Sequence, residues 1–297
     1  MGMMRGKSAL ARLSAGLTLS LVMLVEMAPA QVPPSLPPEK IVEVLGQKIH
    51  YYEAGQGPNV IFLHGLGGDA GMWVANIGPV SEKYHVYVLD QIGFGRSDKP
   101  LIDYKIETFV EFLQGFMQAL GVPKATLVGN SLGGWIATDF AAQHSEMVEK
   151  LVLVDAAGMR FDRNPELLPV DLNPSSLAGT RKILESVVYN KQSLTDALVR
   201  RAFERHLKNG DGYTIQRVMA GVFATDQFED EKAGSVRAAT LVLWGRDDAL
   251  IPLASAERFQ KAIPGAKLVV FDQCGHIPQI EKPQEFNKAL LKFLGQP

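Results

Sequence analysis

The length, composition and charge of the chain exclude several classes of protein. Its 297 residues allow one large domain or two small ones, and 46% hydrophobic against 21% charged residues is typical of a globular chain. Thirty Lys and Arg against 32 Asp and Glu give a net charge of −2, and no basic run forms a stripe, so we expect no nucleic-acid partner. The single cysteine, Cys274, excludes an internal disulfide and a cysteine-rich metal site.

The N-terminal segment has the pattern of a secretory signal peptide. Three basic residues precede a mostly apolar stretch at residues 13–27, and Ala-Pro-Ala at residues 28–30 forms a small-x-small cleavage site before Gln31. Glu26 and Pro29 keep the apolar run below the roughly 20 residues that span a bilayer. We therefore predict an exported protein, periplasmic or secreted, with no stable membrane span in the mature chain. An uncleaved N-terminal membrane anchor is the alternative.

Farther along, short β-branched runs alternate with longer helical patterns, which indicates a mostly parallel sheet covered by helices. An opening antiparallel pair is predicted at residues 41–44 and 48–53. Continuous apolar runs predict six further buried strands, at residues 59–63, 85–89, 125–129, 150–154, 240–244 and 267–271. Helical patterns lie between them near residues 106–120, 132–143, 254–262 and 283–294.

One segment interrupts this alternation and sets the predicted domain boundaries. Residues 160–233 are rich in proline at first and then helical in pattern, without a convincing strand, so we interpret them as a helical insertion after the sixth strand. The predicted organisation is a signal peptide at residues 1–30, a proline-rich leader at 31–40, an α/β core at 41–159 and 234–297, and the insertion between the two core segments.

A serine follows the predicted strand at residues 125–129 in the pattern of a nucleophile elbow. Residues 129–133 read Gly-Asn-Ser-Leu-Gly, a G-x-S-x-G motif between a strand and a helix. Gly129 and Gly133 supply the small residues that the tight turn needs, and the turn lifts the Ser131 hydroxyl above the sheet. The N-terminus of the following helix directs backbone N–H groups to the same point. A simple helix N-cap is the alternative role for this serine.

Three other loops bring possible partners for the serine to the same edge of the sheet, where open parallel sheets bind ligands. The loop after the strand at residues 59–63 can direct the N–H of Leu66 at the serine, and together with Leu132 N–H it would form an oxyanion hole. Asp247 and Asp248 follow the seventh strand, and His276 follows the eighth. A serine hydroxyl needs an imidazole base, and the base needs a carboxylate that holds its tautomer.

Two further motifs are Asp-Gln-Ile-Gly-Phe-Gly-Arg-Ser at residues 90–97 and Gly-His-x-Pro-x-x-Glu-x-Pro at residues 275–283. Together with the motifs above, they make the chain resemble the α/β-hydrolase family over residues 41–295. The resemblance implies the α/β-hydrolase fold, with the insertion as a helical cap. It also implies a triad of Ser131, Asp248 and His276.

The resemblance ranks the remaining candidates. Family spacing selects Asp248 over its neighbour Asp247. Asp155, at the end of the sixth strand, is a second rival because some relatives draw their acid from that strand. His64 and Gly65 match the family's oxyanion loop, and His64 is expected to support the loop by hydrogen bonding.

An activated serine beside two oxyanion donors predicts acyl transfer through an acyl-serine, with water as the final acceptor. We expect neither a cofactor nor a metal. The main expectation is hydrolysis of carboxylic esters of small or medium apolar molecules.

One alternative is a carbon–carbon hydrolase of ring-cleavage dienoates, because residues 129–131 and the cap segment 199–204 resemble that subfamily. Ile277, however, stands where that subfamily commonly has an aromatic residue. Arg200 or Arg201 could then hold the dienoate carboxylate. The other alternative is a ligand-binding receptor with little turnover.

Overall fold

The computed structural model describes residues 36–160, 171–224 and 232–296. The predicted signal peptide and the first part of the predicted leader lie outside these residues, as do two stretches of the predicted cap. Within the described ranges, no helix combines the length and the apolar character that crossing a membrane requires.

An eight-stranded sheet lies at the centre of the described chain. The strands are β1 (Glu39–Val44), β2 (Gln47–Ala54), β3 (Asn59–Leu63), β4 (His85–Leu89), β5 (Ala125–Asn130), β6 (Val148–Val154), β7 (Ala239–Gly245) and β8 (Lys267–Phe271). Their order across the sheet is β1-β2-β4-β3-β5-β6-β7-β8. β2 pairs antiparallel with β1 and β4, whereas the other neighbours pair parallel, so the predicted mostly parallel sheet is confirmed.

The first strand begins earlier than the sequence predicted. Glu39 and Lys40 belong to β1, where they pair with Tyr52 and Tyr51, so the strand starts inside the segment predicted as leader. Glu39 also accepts hydrogen bonds from His50 and Arg96, and these contacts anchor the strand end to the sheet and to the loop after β4.

Helices cover both faces of the sheet. Around the core lie α1 (Val74–Ser81), α2 (Ile106–Ala119), α3 (Leu132–Gln143), α7 (Leu253–Ala262), α8 (Pro278–Glu281) and α9 (Pro283–Leu294). Between β6 and β7 the chain forms α4 (Leu177–Val187), α5 (Asp196–Asn209) and α6 (Gly212–Ala224). The α/β-hydrolase fold with helices inserted after the sixth strand is therefore confirmed.

Each central strand is buried on both faces, which explains its continuous apolar sequence. In β3, Ile61 and Leu63 join the cluster under α2 and α3, while Val60 and Phe62 join the cluster under α1 and α9. The alternation follows from the two-residue period of a strand. Because the sheet is fixed on both sides, the loops at its carboxyl edge start from rigid positions.

Candidate active site

The turn between β5 and α3 holds Ser131 in a strained backbone conformation. Its φ is 55° and its ψ is −117°, values that a residue with a side chain rarely adopts. A Cβ added at Gly129 would lie far inside van der Waals contact of the Gly133 carbonyl, and one at Gly133 would collide with the Leu63 carbonyl. The two glycines predicted for this turn are therefore required by the close approach of backbone to backbone.

The loop after β3 runs directly against the serine. A Cβ built on Gly65 would lie 3.1 Å from the Cβ of Ser131. Among the hydrogen bonds of the described residues, none uses the N–H of Leu66 or of Leu132. Within the described residues, the protein thus supplies no hydrogen-bond acceptor to either donor predicted for the oxyanion hole.

His64 holds this loop from within the protein. The ring is fully buried, its Nε2 accepts from Gln91 N at 3.0 Å, and its Nδ1 donates to the Gly65 carbonyl at 2.8 Å. Burial lowers the pKa of His64 to about 4, so the ring is neutral near pH 7. The neutral ring, with its proton on Nδ1, satisfies both bonds, which agrees with a supporting role rather than proton transfer.

The predicted base and acid form a buried pair. His276 Nδ1 lies 2.7 Å from Asp248 Oδ2, and both residues are less than a tenth exposed. The other oxygen, Asp248 Oδ1, accepts from the backbone N–H groups of Leu250 and Ile251 at 2.8 and 3.0 Å. Because Nδ1 is held by the carboxylate, Nε2 remains for a proton from the substrate side.

The neighbouring acid Asp247 has a different environment. Its side chain is exposed, and its backbone N–H donates to the Cys274 carbonyl. The structure thus places only the second of the two consecutive aspartates against the imidazole, as the family spacing implied.

Two residues for which the sequence predicted no role hold the loop that carries His276. Asn130 Nδ2 donates to the Val154 carbonyl at 3.0 Å and to the His276 carbonyl at 3.1 Å, so it ties the nucleophile turn to the base. Glu281 accepts from Gly275 N at 2.8 Å and from the cap residue Tyr189 N at 2.7 Å. The motif around residue 275 contained Glu281, but motif spacing carries no signal of what a carboxylate will bind.

The cap also touches both sides of the site. His276 N donates to the Val187 carbonyl, at the end of α4, at 2.7 Å. On the opposite side, a Cβ at Gly67 would lie 3.4 Å from Ile215 Cδ1 of α6. The inserted helices therefore contact both the loop that carries His276 and the loop after β3.

Three buried side chains of types that can bind metals lie close together: Asp155, Asp248 and His276. One possible ligand atom from each lies within 4.8 Å of the others. Backbone N–H groups, however, are directed at Asp248 Oδ1 and at Asp155 Oδ1. Donors directed at these oxygens fit an acid–base network. No hydrogen bond joins Asp155 to the imidazole in the described structure, whereas Asp248 contacts it directly.

Arg200 and Arg201, the two candidates for holding a dienoate carboxylate, are both exposed on α5. Arg200 is exposed on α5, whose buried residues are Leu198 and Val199. Arg201 lines a cavity of about 640 Å³, together with Arg205, between α5 and the loops after β3 and β4. None of the residues lining that cavity belongs to the predicted triad.

A sequence profile for the alpha/beta hydrolase fold matches residues 58–283, and the chain belongs to this family. A 2-hydroxy-6-oxo-6-phenylhexa-2,4-dienoate hydrolase of Comamonas testosteroni is 36% identical over 266 residues, covering 84% of this chain and 91% of the relative. The structure of a meta-cleavage product hydrolase is 31% identical with a TM-score of 0.79, covering 88% of this chain and 99% of the other. A membrane phospholipase A is 30% identical with a TM-score of 0.78, covering 86% and 85%.

These comparisons correct the expected activity. The chain is an α/β-fold hydrolase, but the expectation of carboxylic ester hydrolysis is wrong, because curated relatives at 30–36% identity over most of the chain are named dienoate hydrolases. The ester expectation came from the nucleophile and oxyanion motifs, which are compatible with several acyl-transfer reactions.

Proposed function

We propose that the protein hydrolyses a carbon–carbon bond in a 2-hydroxy-6-oxo-dienoate. The observation that carries this proposal is the 36% identity with a hydrolase named for such a substrate, over 91% of that relative. The buried pair of Asp248 and His276 beside the Ser131 turn supports it, because breaking a bond next to a ketone needs an activated nucleophile and a proton carrier.

Ser131 attacks the 6-oxo carbonyl, next to the bond that breaks. His276 Nε2 takes the hydroxyl proton, and Asp248 holds the imidazole through Nδ1. Negative charge then develops on the carbonyl oxygen. The unused N–H groups of Leu66 and Leu132 are the proposed donors to this oxyanion, and each contributes about 10²- to 10³-fold in rate.

The leaving group is a carbon, so it must depart as a stabilised anion. Ketonisation of the 2-hydroxy group places a proton on C5 and leaves a C3–C4 double bond conjugated with the new 2-oxo group. When the C5–C6 bond breaks, its electron pair spreads from C5 to the 2-oxo oxygen, which takes the proton from the imidazolium. The acyl group stays on Ser131, and water attacks it to release a carboxylic acid. Water thus adds OH to C6 and, in total, one hydrogen to the five-carbon fragment.

The test is turnover of 2-hydroxy-6-oxo-6-phenylhexa-2,4-dienoate by the purified chain. We expect benzoate and 2-hydroxypenta-2,4-dienoate in equal amounts, with kcat/KM above about 10⁴ M⁻¹ s⁻¹. Ser131→Ala is the matched control, because it removes one hydroxyl and should lower kcat by about 10⁴- to 10⁶-fold. Values below about 10² M⁻¹ s⁻¹ for this substrate and for 2-hydroxy-6-oxo-2,4-heptadienoate would refute the proposal.

A further inference from the structure

Asp155 is a buried carboxyl group that the proposed reaction does not use. It follows β6, is fully shielded from solvent, and has a φ of 42°, which is uncommon for a residue other than glycine. Its Oδ1 accepts from Gly245 N at 2.9 Å, whereas Oδ2 is buried and has no hydrogen-bond partner in the described structure. A charged oxygen left in this state would be costly.

The groups that face Asp155 make a second buried charge unfavourable. A carboxylate oxygen of Asp155, a carboxylate oxygen of Asp248 and a ring nitrogen of His276 all lie within 4.8 Å of one another. Glu281 and Cys274 are the other titratable groups that interact with it, so the imidazole is the one neighbour among them that can be cationic. Two adjacent carboxylates in such a setting do not both ionise, and one of them keeps a proton.

The distribution of hydrogen-bond donors decides which acid keeps the proton. Asp248 receives three N–H donors, from Leu250, Ile251 and His276, whereas Asp155 receives one. N–H donors favour the ionised form of a carboxyl group, so the charge belongs on Asp248. Burial raises the pKa of Asp155 well above its usual range, and the negative charge of Asp248 raises it further.

We propose that Asp155 is a positioning residue that stays protonated at neutral pH and donates its Oδ2–H to the Asp248 carboxylate. This bond satisfies the oxygen that otherwise lacks a partner, because a protonated carboxyl group can donate where an ionised one cannot. It also gives Asp248 a fourth donor, which holds the carboxylate in the plane that His276 Nδ1 requires. The catalytic consequence rests on the proposed function, whereas the protonation state does not.

The Asp155→Asn variant tests the assignment because an amide copies the neutral acid. Its oxygen accepts from Gly245 N and its NH₂ donates to Asp248, so we expect kcat/KM within about threefold of the wild type. The acid limb of the kcat/KM profile should not move. Asp155→Ala removes both bonds and should lower kcat by about 10- to 100-fold, as expected for a lost hydrogen bond to a charged group.

A second readout is independent of activity. Above the ordinary aspartate pKa of about 3.9, folding of the wild type takes up one proton at Asp155, since the unfolded chain is ionised there. Folding of Asp155→Asn takes up none. The free energy of unfolding of the variant, minus that of the wild type, should therefore increase steadily from pH 4 to pH 8. Asp139→Asn is the matched control, because it replaces another buried aspartate, one that forms an ion pair with Lys232 at 2.8 Å. Losing this ion pair should lower the free energy of unfolding.

Infrared difference spectra complete the test. The wild type at pH 7 should show a protonated carboxyl band that Asp155→Asn lacks. A flat or decreasing stability difference, no lost band, or an acid limb displaced to lower pH in Asp155→Asn would each mean that Asp155 is ionised, and would overturn the inference. If dienoates are not turned over but the stability difference increases and the band is lost, the proposed function fails while the protonation of Asp155 stands.

Discussion

Asp248→Asn is the sharpest test of the predicted triad. In the wild type, Asp248 Oδ1 accepts from two backbone N–H groups while Oδ2 accepts from His276 Nδ1 at 2.7 Å. An asparagine oxygen can serve the two backbone donors, which places its NH₂ against the imidazole. Nδ1 must then be an acceptor, the ring proton moves to Nε2, and the base can no longer take a proton from Ser131.

The expected loss follows from this change of tautomer. With the geometry intact, the wrong tautomer lowers kcat by about 10⁴-fold, or roughly 5.5 kcal/mol of transition-state stabilisation. Asp247→Asn provides the matched control on the same loop. Its side chain is exposed and makes no hydrogen bond in the part of the chain that the structure describes, so we expect a loss below about tenfold.

The assay is the initial rate of dienoate cleavage by both variants, with urea unfolding to show that each is folded. Retention of more than about a tenth of the wild-type kcat by Asp248→Asn would show that this carboxylate does not orient the base. A larger loss in Asp247→Asn would show that the loop register is wrong by one residue.

Three further predictions concern the turn, the cap and the N-terminus. Gly129→Ala should destabilise the fold by about 3 kcal/mol, because its Cβ meets a carbonyl that cannot move, whereas Gly78→Ala meets nothing within 4 Å and should be neutral or slightly stabilising in urea unfolding. The double change Arg200→Ala and Arg201→Ala should leave dienoate kcat/KM within about fivefold, and a hundredfold loss would show that an arginine holds the substrate. Mass spectrometry of exported protein should find a chain that begins at Gln31, and an intact chain in the membrane fraction would instead indicate an anchor.

The elements that could be predicted from sequence are those with a local physical signature. The central parallel strands are buried and apolar throughout, which made them the clearest to predict, and all eight strands were predicted to within about two residues at each end. α1 was missed because Gly78 and Pro79 interrupt its pattern. That helix forms because Ile77 and Val80 pack under it on the sheet, a tertiary contact that no local pattern reports.

The parts of the site that could be predicted from the sequence are those that the local backbone conformation requires. Gly129 and Gly133 are demanded by close contacts within the turn, so a short motif predicts them. Asp155 was considered only as a rival acid. Its contact with Gly245 N and its nearness to Asp248 bring together the ends of two parallel strands that are far apart in the sequence.

The substrate class was mispredicted because the motifs describe only the attack on a carbonyl. An ester and a dienoate both present a carbonyl carbon to Ser131 and a carbonyl oxygen to the oxyanion donors. They differ in the group that leaves. The motifs carry no information on that group. The inserted helices contact the loop that carries His276, through His276 N with the Val187 carbonyl and Tyr189 N with Glu281. We therefore expect selectivity to depend on how α4 to α6 pack beside the site, and amphipathic helices of this kind carry little sequence record of which face meets the substrate.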